Sequence, residues 1–190
     1  EATRVVLECE ATVVDVPDTT ADDVAFLLTV ASTDRERSAL ILDGEQVTGL
    51  LRVDKDPYEQ VTSLDVVTLP WPQSRAQRCE ALQLGLQVAR DHRAESGSST
   101  WKARVGTVLE DTTFAGVLVE AGMTPVRRFY RMAIDATSPE VPDEMPALPD
   151  GVEIVVRDDD ETRRAIYELD REAFREHWGY ADYPYAEWIQ

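Results

Sequence analysis

Short apolar runs alternate with amphipathic stretches along the chain, and the period of each stretch predicts its element. Residues 1–14 fit two patterns. Val5, Leu7 and Cys9 alternate as in a strand, whereas Val5, Val6, Cys9 and Val13 share one helical face. Over 20–32 the helical period is clear in Val24, Leu27, Leu28 and Ala31, with Thr20 placed to cap and Asp22 and Asp23 in the first turn. Ser38–Leu42 and Val47–Val53 flank Asp43-Gly44-Glu45 as the arms of a hairpin. Residues 61–69 read as a third strand. A helix over roughly 75–94 carries Cys79, Leu82, Leu86 and Ala89 on its apolar face. Trp101, Ala103 and Val105 alternate with Lys102 and Arg104 as a strand. Phe114, Val117, Leu118 and Ala121 mark a helix closed by Gly122. Residues 126–135 alternate again and predict a closing strand.

Residues 137–150 carry Pro139, Pro142, Pro146 and Pro149 and predict an extended linker. Beyond it, Val152–Val156 reads as a strand and Asp160–Trp178 as an amphipathic helix, with Ile166, Leu169, Ala173 and Trp178 on one face. One strand and one helix cannot enclose a core. The tail is therefore either part of a second domain or a piece that docks on the first. The expected organisation is a domain over 1–136, a linker over 137–150, and the start of a second domain over 151–190.

Composition narrows the functions. With 43% hydrophobic and 29% charged residues the chain reads as globular. A formal net charge of −18 argues against nucleic acid and anionic membranes as partners. No run of 18 apolar residues predicts a membrane span, no secretory leader is visible, and the cytoplasm is the expected compartment. Cys9 and Cys79 make no disulfide framework, and Cys79 is expected to be a buried free thiol. Two histidines and no clustered cysteines argue against a metal site. His92 falls at the charged end of its helix and is expected to be solvated. Asp158–Glu161 reads as a set of first-turn acids that complement a helix dipole.

The stretch Leu64–Arg90 carries the candidate chemistry. An apolar strand ends at Pro70, a short polar loop follows, and a long helix begins. A strand that feeds a helix N-terminus can hold an anion such as a pyrophosphate on backbone N–H groups. The loop Gln73–Arg78 has no glycine, although close backbone approach to a phosphate favours one.

The order hairpin, strand, loop-helix, strand, helix, strand resembles the GNAT superfamily of N-acetyltransferases over roughly residues 20–136. In that family a strand leads through a Pro into an Arg/Gln-x-x-Gly-x-Gly/Ala loop that holds the acetyl-CoA pyrophosphate. Here Leu64–Leu69 runs into Pro70, and Gln73 stands at the Arg/Gln position. Val117-Leu118, Gly122 and Met123 echo the family's later Phe-Tyr-x-x-x-Gly-Phe pattern, and Met132-Ala133-Ile134-Asp135 is similar to its closing strand. Leu148–Arg157 and the helix to Gly179 resemble the opening of a second copy, as in tandem members of the mycothiol synthase type. In that reading residues 1–14 are the end of the first copy's first helix.

The resemblance implies an α/β (α+β) fold with a mixed, mostly antiparallel sheet flanked by helices. It implies acetyl-CoA as co-substrate, no metal, and a small-molecule amine as acceptor. It also implies either a homodimer or packing against a second domain of the same type. Val67, Leu69, Gln73, Arg75, Ala76 and Arg78 would line the acetyl-CoA site, with a strand backbone N–H polarising the thioester carbonyl. Ala76 and Arg78 stand where the family has glycine and Gly/Ala. Arg78 would crowd the cradle, although its charge could meet a phosphate. Asp65 stands where many members have a general base, and the competing reading is a structural or solvated carboxylate. Leu118 replaces a Tyr that protonates the leaving thiolate, and Leu cannot be an acid. His177, Trp178 and Tyr180 would flank an acceptor pocket in the second copy, or simply pack a helix end. Three readings remain. The first copy is inactive within a tandem enzyme, or it is a pseudo-acetyltransferase with a structural or regulatory role, or it still binds acetyl-CoA through Arg75 and Arg78.

Overall fold

A computed structural model describes residues 1–14, 17–70, 73–130, 132, 137–139 and 147–189. The chain divides into two compact units, Glu1–Thr124 and Pro125–Gln190.

In the first unit the ambiguous N-terminal segment is a helix, α1 (Ala2–Val13), which buries Val5 and Cys9 one turn apart. Arg4 ties it to the sheet by donating from Nη2 to the Val47 carbonyl at 2.7 Å. Helix α2 (Ala21–Leu27) starts at a capping box, in which the Thr20 hydroxyl accepts from the Asp23 N–H and the Asp23 carboxylate accepts from the Thr20 N–H. The hairpin follows as β1 (Ala39–Asp43) and β2 (Gln46–Asp56), and β3 (Val61–Thr68) pairs antiparallel with β2 from Gly49↔Thr68 to Asp56↔Val61. Helix α3 (Ser74–Ser96) crosses back over the sheet to β4 (Lys102–Val105), which lies parallel to β3, and α4 (Thr112–Glu120) comes last. Gly122 leaves α4 at φ 84°, the left-handed C-terminal turn its position predicts. The result is a mixed α/β fold with a mostly antiparallel sheet in the order β1-β2-β3-β4, flanked by helices.

Strand alternation sorts the two faces of the sheet. Leu51 and Val53 of β2 and Leu64 and Val66 of β3 pack against Ala81, Leu82 and Val88 of α3 and Phe114, Val117 and Leu118 of α4. Each fully buried aliphatic side chain of this kind contributes about 1.5–3 kcal/mol. At Gly85 an added Cβ would lie 2.8 Å from Leu64 Cδ1, so this position lets α3 lie close on β3. The opposite face presents Leu50, Arg52 and Asp54 beside Val67, Asp65 and Ser63, paired in register.

Two expectations about α3 are corrected. Its buried stripe runs through Arg78, Ala81, Leu82, Gly85, Val88, Ala89 and His92, while Cys79 and Leu86 are half-buried on its flank. His92 is fully buried, not solvated. The indole N–H of Trp101 donates to Thr62 Oγ1 at 2.9 Å, Thr62 Oγ1 is 2.9 Å from His92 Nδ1, and His92 Nε2 is 3.1 Å from Asp34 Oδ2. An indole only donates, so the Thr62 hydroxyl hydrogen is left for Nδ1, and His92 directs its own N–H at Asp34. A polar residue falls on the inner face because every polar atom on it has a partner.

The second unit holds α5 (Asp160–Phe174), capped by Asp159 on the Thr162 N–H at 2.8 Å, and the short α6 (Tyr185–Trp188). Asp160 and Glu161 occupy the first turn of α5 as expected. The helix stops at Phe174, short of Trp178. Val152–Val156 is not a strand, and neither is 126–130, while 131, 133–136 and half of the linker (140–146) lie outside the described residues. A strand forms only when a neighbour takes up its backbone N–H and C=O groups. Among the described residues neither segment has a paired strand.

Candidate functional site

The parallel pair β3–β4 is short. Its register runs from Val61↔Lys102 to Leu64↔Val105 and ends there, although β3 continues to Thr68. On the β4 side, the edge of β3 at Asp65–Val67 therefore has no paired strand among the described residues. The sheet splits into a wedge at this point. A cavity of about 160 Å³ opens in it, lined by Asp65, Val66, Val67 and Gly106 together with Leu50 and Arg52 of β2. Val6 of α1 and Val24, Leu27 and Leu28 at α2 complete an aliphatic wall.

The polar groups lining this cavity are Arg52 and Asp65, and Arg52 also pairs with Asp54, which does not line it. Arg52 donates to Asp65 Oδ2 from Nε (2.9 Å) and Nη2 (2.6 Å). Its Nη2 also lies 2.8 Å from Asp54 Oδ2, and its Nη1 donates to Asp54 Oδ1 (3.0 Å) and to the Leu27 carbonyl (3.2 Å). Burial pushes the Asp54 carboxyl up from its ordinary value, against the pull of the Thr33 hydroxyl and the Arg52 charge. Asp65 is more open, with 43% of its side chain exposed against 15% for Asp54. Both Arg52 bonds fall on one oxygen of Asp65, Oδ2.

Five residues separate β3 from helix α3. Gln73 is its N-cap and makes no side-chain capping bond. Ala76 is exposed. Arg75 is exposed and paired with Glu120 at 2.6 Å. Arg78 does not crowd the loop, contrary to the sequence expectation: it is 6% exposed and points inward. Its Nε donates to Thr68 Oγ1 at 2.7 Å, its Nη1 meets Asp111 at 2.8 Å, and its guanidinium lies 5.3 Å from the Phe114 ring centroid. Asp111 also caps α4 by accepting from the Phe114 N–H at 3.0 Å. The charge of Arg78 is thus taken up by a structural partner. Cys9 sits beside this pair, and burial raises its thiol above the ordinary value despite the nearby Arg78 charge.

The remaining expected site residues are dispersed. Val67 lines the wedge, and Leu69 donates its N–H to the Thr48 carbonyl at 2.8 Å. Leu118 packs in the core. In the second unit the His177 ring stacks edge-on to Phe174, Arg127 lies 5.4 Å over the Trp178 ring, and Tyr180 reaches Asp182 at 3.4 Å. Tyr180 lines a shallow groove with Glu168, Arg171, Arg175 and Asp182, a set that contains neither His177 nor Trp178. Sequence reasoning missed Arg52, Leu50 and Gly106. Arg52 had a usable signal, because the hairpin register and strand parity place it directly across from Asp65.

Among the described residues no group of three or more His, Cys, Asp or Glu could hold a metal ion, and no helix is long and apolar enough to cross a membrane. No family model matches the chain. No curated protein matches it either. A solved crystal structure described as a probable acetyltransferase is similar at 15% identity with a TM-score of 0.43, over 72% of this chain and 90% of that one. At this identity and score the likeness assigns neither family nor activity.

Proposed function

We propose that the first unit binds acetyl-CoA in the wedge between β3 and β4, as part of an N-acetyltransferase that acts on a small-molecule amine. The supporting observation is the early end of the β3–β4 ladder at Leu64↔Val105, beside a cavity. An extended amide chain such as the pantetheine arm can pair with an open strand edge. The N-terminus of α3, next along the chain, offers backbone N–H groups to its phosphates. Arg78, turned inward, does not cover that terminus.

In the reaction the amine nitrogen attacks the thioester carbonyl carbon. A C–N bond forms, the C–S bond breaks, and the proton lost by nitrogen ends on sulfur, giving amide and free thiol. A strand N–H at Asp65–Val67 would polarise the carbonyl. Leu118 supplies no proton to the thiolate, so this copy would be a slow catalyst. In the tandem arrangement that the resemblance suggests, residues 151–190 open a second domain of the same type, and the faster chemistry belongs there.

The alternative is a pseudo-acetyltransferase with a structural or regulatory role. The hold of Arg52 on Asp65 and the burial of Leu118 favour it. Calorimetric titration of acetyl-CoA into the whole chain separates the two. Saturable binding that Gly106→Trp abolishes supports the cofactor site. An added Cβ at Gly106 meets nothing within 4 Å, so the position itself accepts a side chain. No binding to the unaltered chain leaves the structural role.

A further inference from the structure

We infer that His92 is an acid-sensitive latch: with one ring proton it holds the start of β4 on β3, and a second proton releases that hold. The fully buried ring joins three elements. Nε2 meets Asp34, between α2 and β1, Nδ1 meets Thr62 of β3, and Thr62 in turn takes the indole N–H of Trp101, the residue before β4. The hydrogens run one way along this chain. The indole donates to Thr62 Oγ1, the Thr62 hydroxyl donates to Nδ1, and Nε2–H donates to Asp34. That order needs Nδ1 bare. A hydrogen on Nδ1 would face the hydrogen of the Thr62 hydroxyl, which has no other hydrogen-bond partner among the described residues. Thr62 must then turn its hydrogen toward the side from which the indole approaches, or bury it unpaired. The indole is the partner that can move. Asp34 is held by its own N–H on the Val53 carbonyl at 2.8 Å, and Thr62 is paired with Lys55 and Ala103 in the sheet, whereas Trp101 lies outside the strands.

The surroundings accept the second proton. Asp34 Oδ2 lies 3.1 Å from Nε2, while Arg37 Nε stands off from it at 3.7 Å. Arg37 spends Nη2 on Glu95 of α3, and Lys55 of β2 holds the other oxygen of Glu95 at 3.0 Å. Asp91, also on α3, adds a carboxylate that acts on Arg37. β3 and the start of β4 present the neutral Thr62 and Trp101. An imidazolium therefore has a carboxylate in direct contact, and Asp34, with 21% of its side chain exposed, can pass the proton from solvent. Charge favours the second proton and the hydrogen-bond order opposes it, and a histidine caught between the two works as a switch. Next to Trp101, the Lys102 N–H donates to the Gln60 carbonyl at 2.9 Å and begins the β3–β4 ladder, so release is felt first there. Any effect on acetyl-CoA in the neighbouring wedge rests on the reading above, whereas the latch itself does not.

The test follows ring and amide signals of the whole chain by NMR, without acetyl-CoA, between about pH 8 and pH 5, where histidines change charge. The chain has two histidines, and the exposed His177 is the internal reference. As His92 takes its second proton, the Trp101 indole and the Lys102 amide should shift with the same midpoint. Their protection against exchange, corrected for the intrinsic effect of pH, should fall by about tenfold, the loss of one hydrogen bond. The amides of Leu64 and Leu82 should keep theirs. His92→Gln, whose amide can accept from Thr62 and donate to Asp34 without gaining a charge, should hold both signals constant. If that variant does not fold, the unaltered chain decides, since the two signals must follow the His92 ring and not the His177 ring. His92 keeping one proton throughout the range, a second proton without change at Trp101, or changes that persist in folded His92→Gln would overturn the inference. A chain that shows the latch but binds no acetyl-CoA loses the cofactor reading alone, so the two fail separately.

Discussion

The two units use similar sequence patterns with different results. In the first, amphipathic helices lie on both faces of a sheet, and Leu51, Leu64 and Leu82 are at most 1% exposed. In the second, α5 has an equally regular apolar face, yet it buries no residue, and Ile166 and Leu169 remain 48% and 66% exposed. Amphipathic periodicity creates a face, but burial needs a second layer. The second unit holds its short elements together with aromatic and charge contacts instead. Tyr167, Tyr185 and Trp188 cluster, with ring centroids 5.4 to 6.3 Å apart, and Arg164 and Arg171 lie over the tyrosine rings.

Core truncation should expose this difference most sharply. Leu64→Ala removes a fully buried side chain and should cost about 2–5 kcal/mol, whereas Ile166→Ala on α5 should change stability by no more than about 0.5 kcal/mol. Amide hydrogen exchange resolved by residue would assign each change to its unit. Equal losses would mean that α5 has a covered face in solution.

Arginine pairs give the next test. Arg78→Met strands the carboxylate of Asp111 beneath the sheet and should cost about 3 kcal/mol. Arg171→Met, which releases the exposed Asp182, should leave denaturant midpoints where they are. The hydrophobic isostere keeps the packing against Phe114, so the loss reports the orphaned Asp111 charge together with the vacated Thr68 hydroxyl.

Thiol chemistry offers a smaller effect. Cys9 is buried and its thiol is raised, so it should alkylate much more slowly than the half-buried Cys79 at neutral pH. Mass spectrometry of a time course with iodoacetamide would show the order. Cys9 reacting first would mean that α1 opens readily from the sheet.

The smallest effect lies in acid. Hydrogen bonds from Arg37 and Lys55 pull the Glu95 carboxyl down from 4.5 to about 2. A lowered carboxylate stabilises the folded form above its unfolded value and loses that contribution as pH falls from 4.5 toward 2. Glu95→Gln should flatten the stability profile in this window only. Asp54 has the opposite sign: its raised carboxyl favours the fold below its unfolded value of 3.8 and loses that contribution as pH rises through the folded value. Denaturant midpoints from pH 2 to 6 for each variant would separate the two.

Much of the first unit was readable from residue order. The hairpin around Gly44, the helix that Gly122 ends and the strand before Pro70 all rest on local signals: a turn, a C-cap and a two-residue period. The faces were harder. Arg78 and His92 count as polar in any periodicity, so the expected stripe of α3 left them out and took in the flanking Cys79 and Leu86 beside Leu82 and Ala89, which are buried. What turned both inward was a partner distant in sequence: Asp111 for Arg78, Thr62 and Asp34 for His92. The expected strand at Val152–Val156 failed for the complementary reason. Its residues favour a strand, but no neighbour among the described residues completes the ladder.

Sequence alone determined the elements of the first unit after its ambiguous N-terminal helix, their order, and the position of the strand-loop-helix at Leu64–Arg90, because capping, turn chemistry and hydrophobic period act within a few residues. Tertiary structure decided the site. Where β3 and β4 part, which oxygen of Asp65 is held by Arg52, and which arginine is already engaged all depend on pairing across the sheet. Local sequence carries no record of that distance.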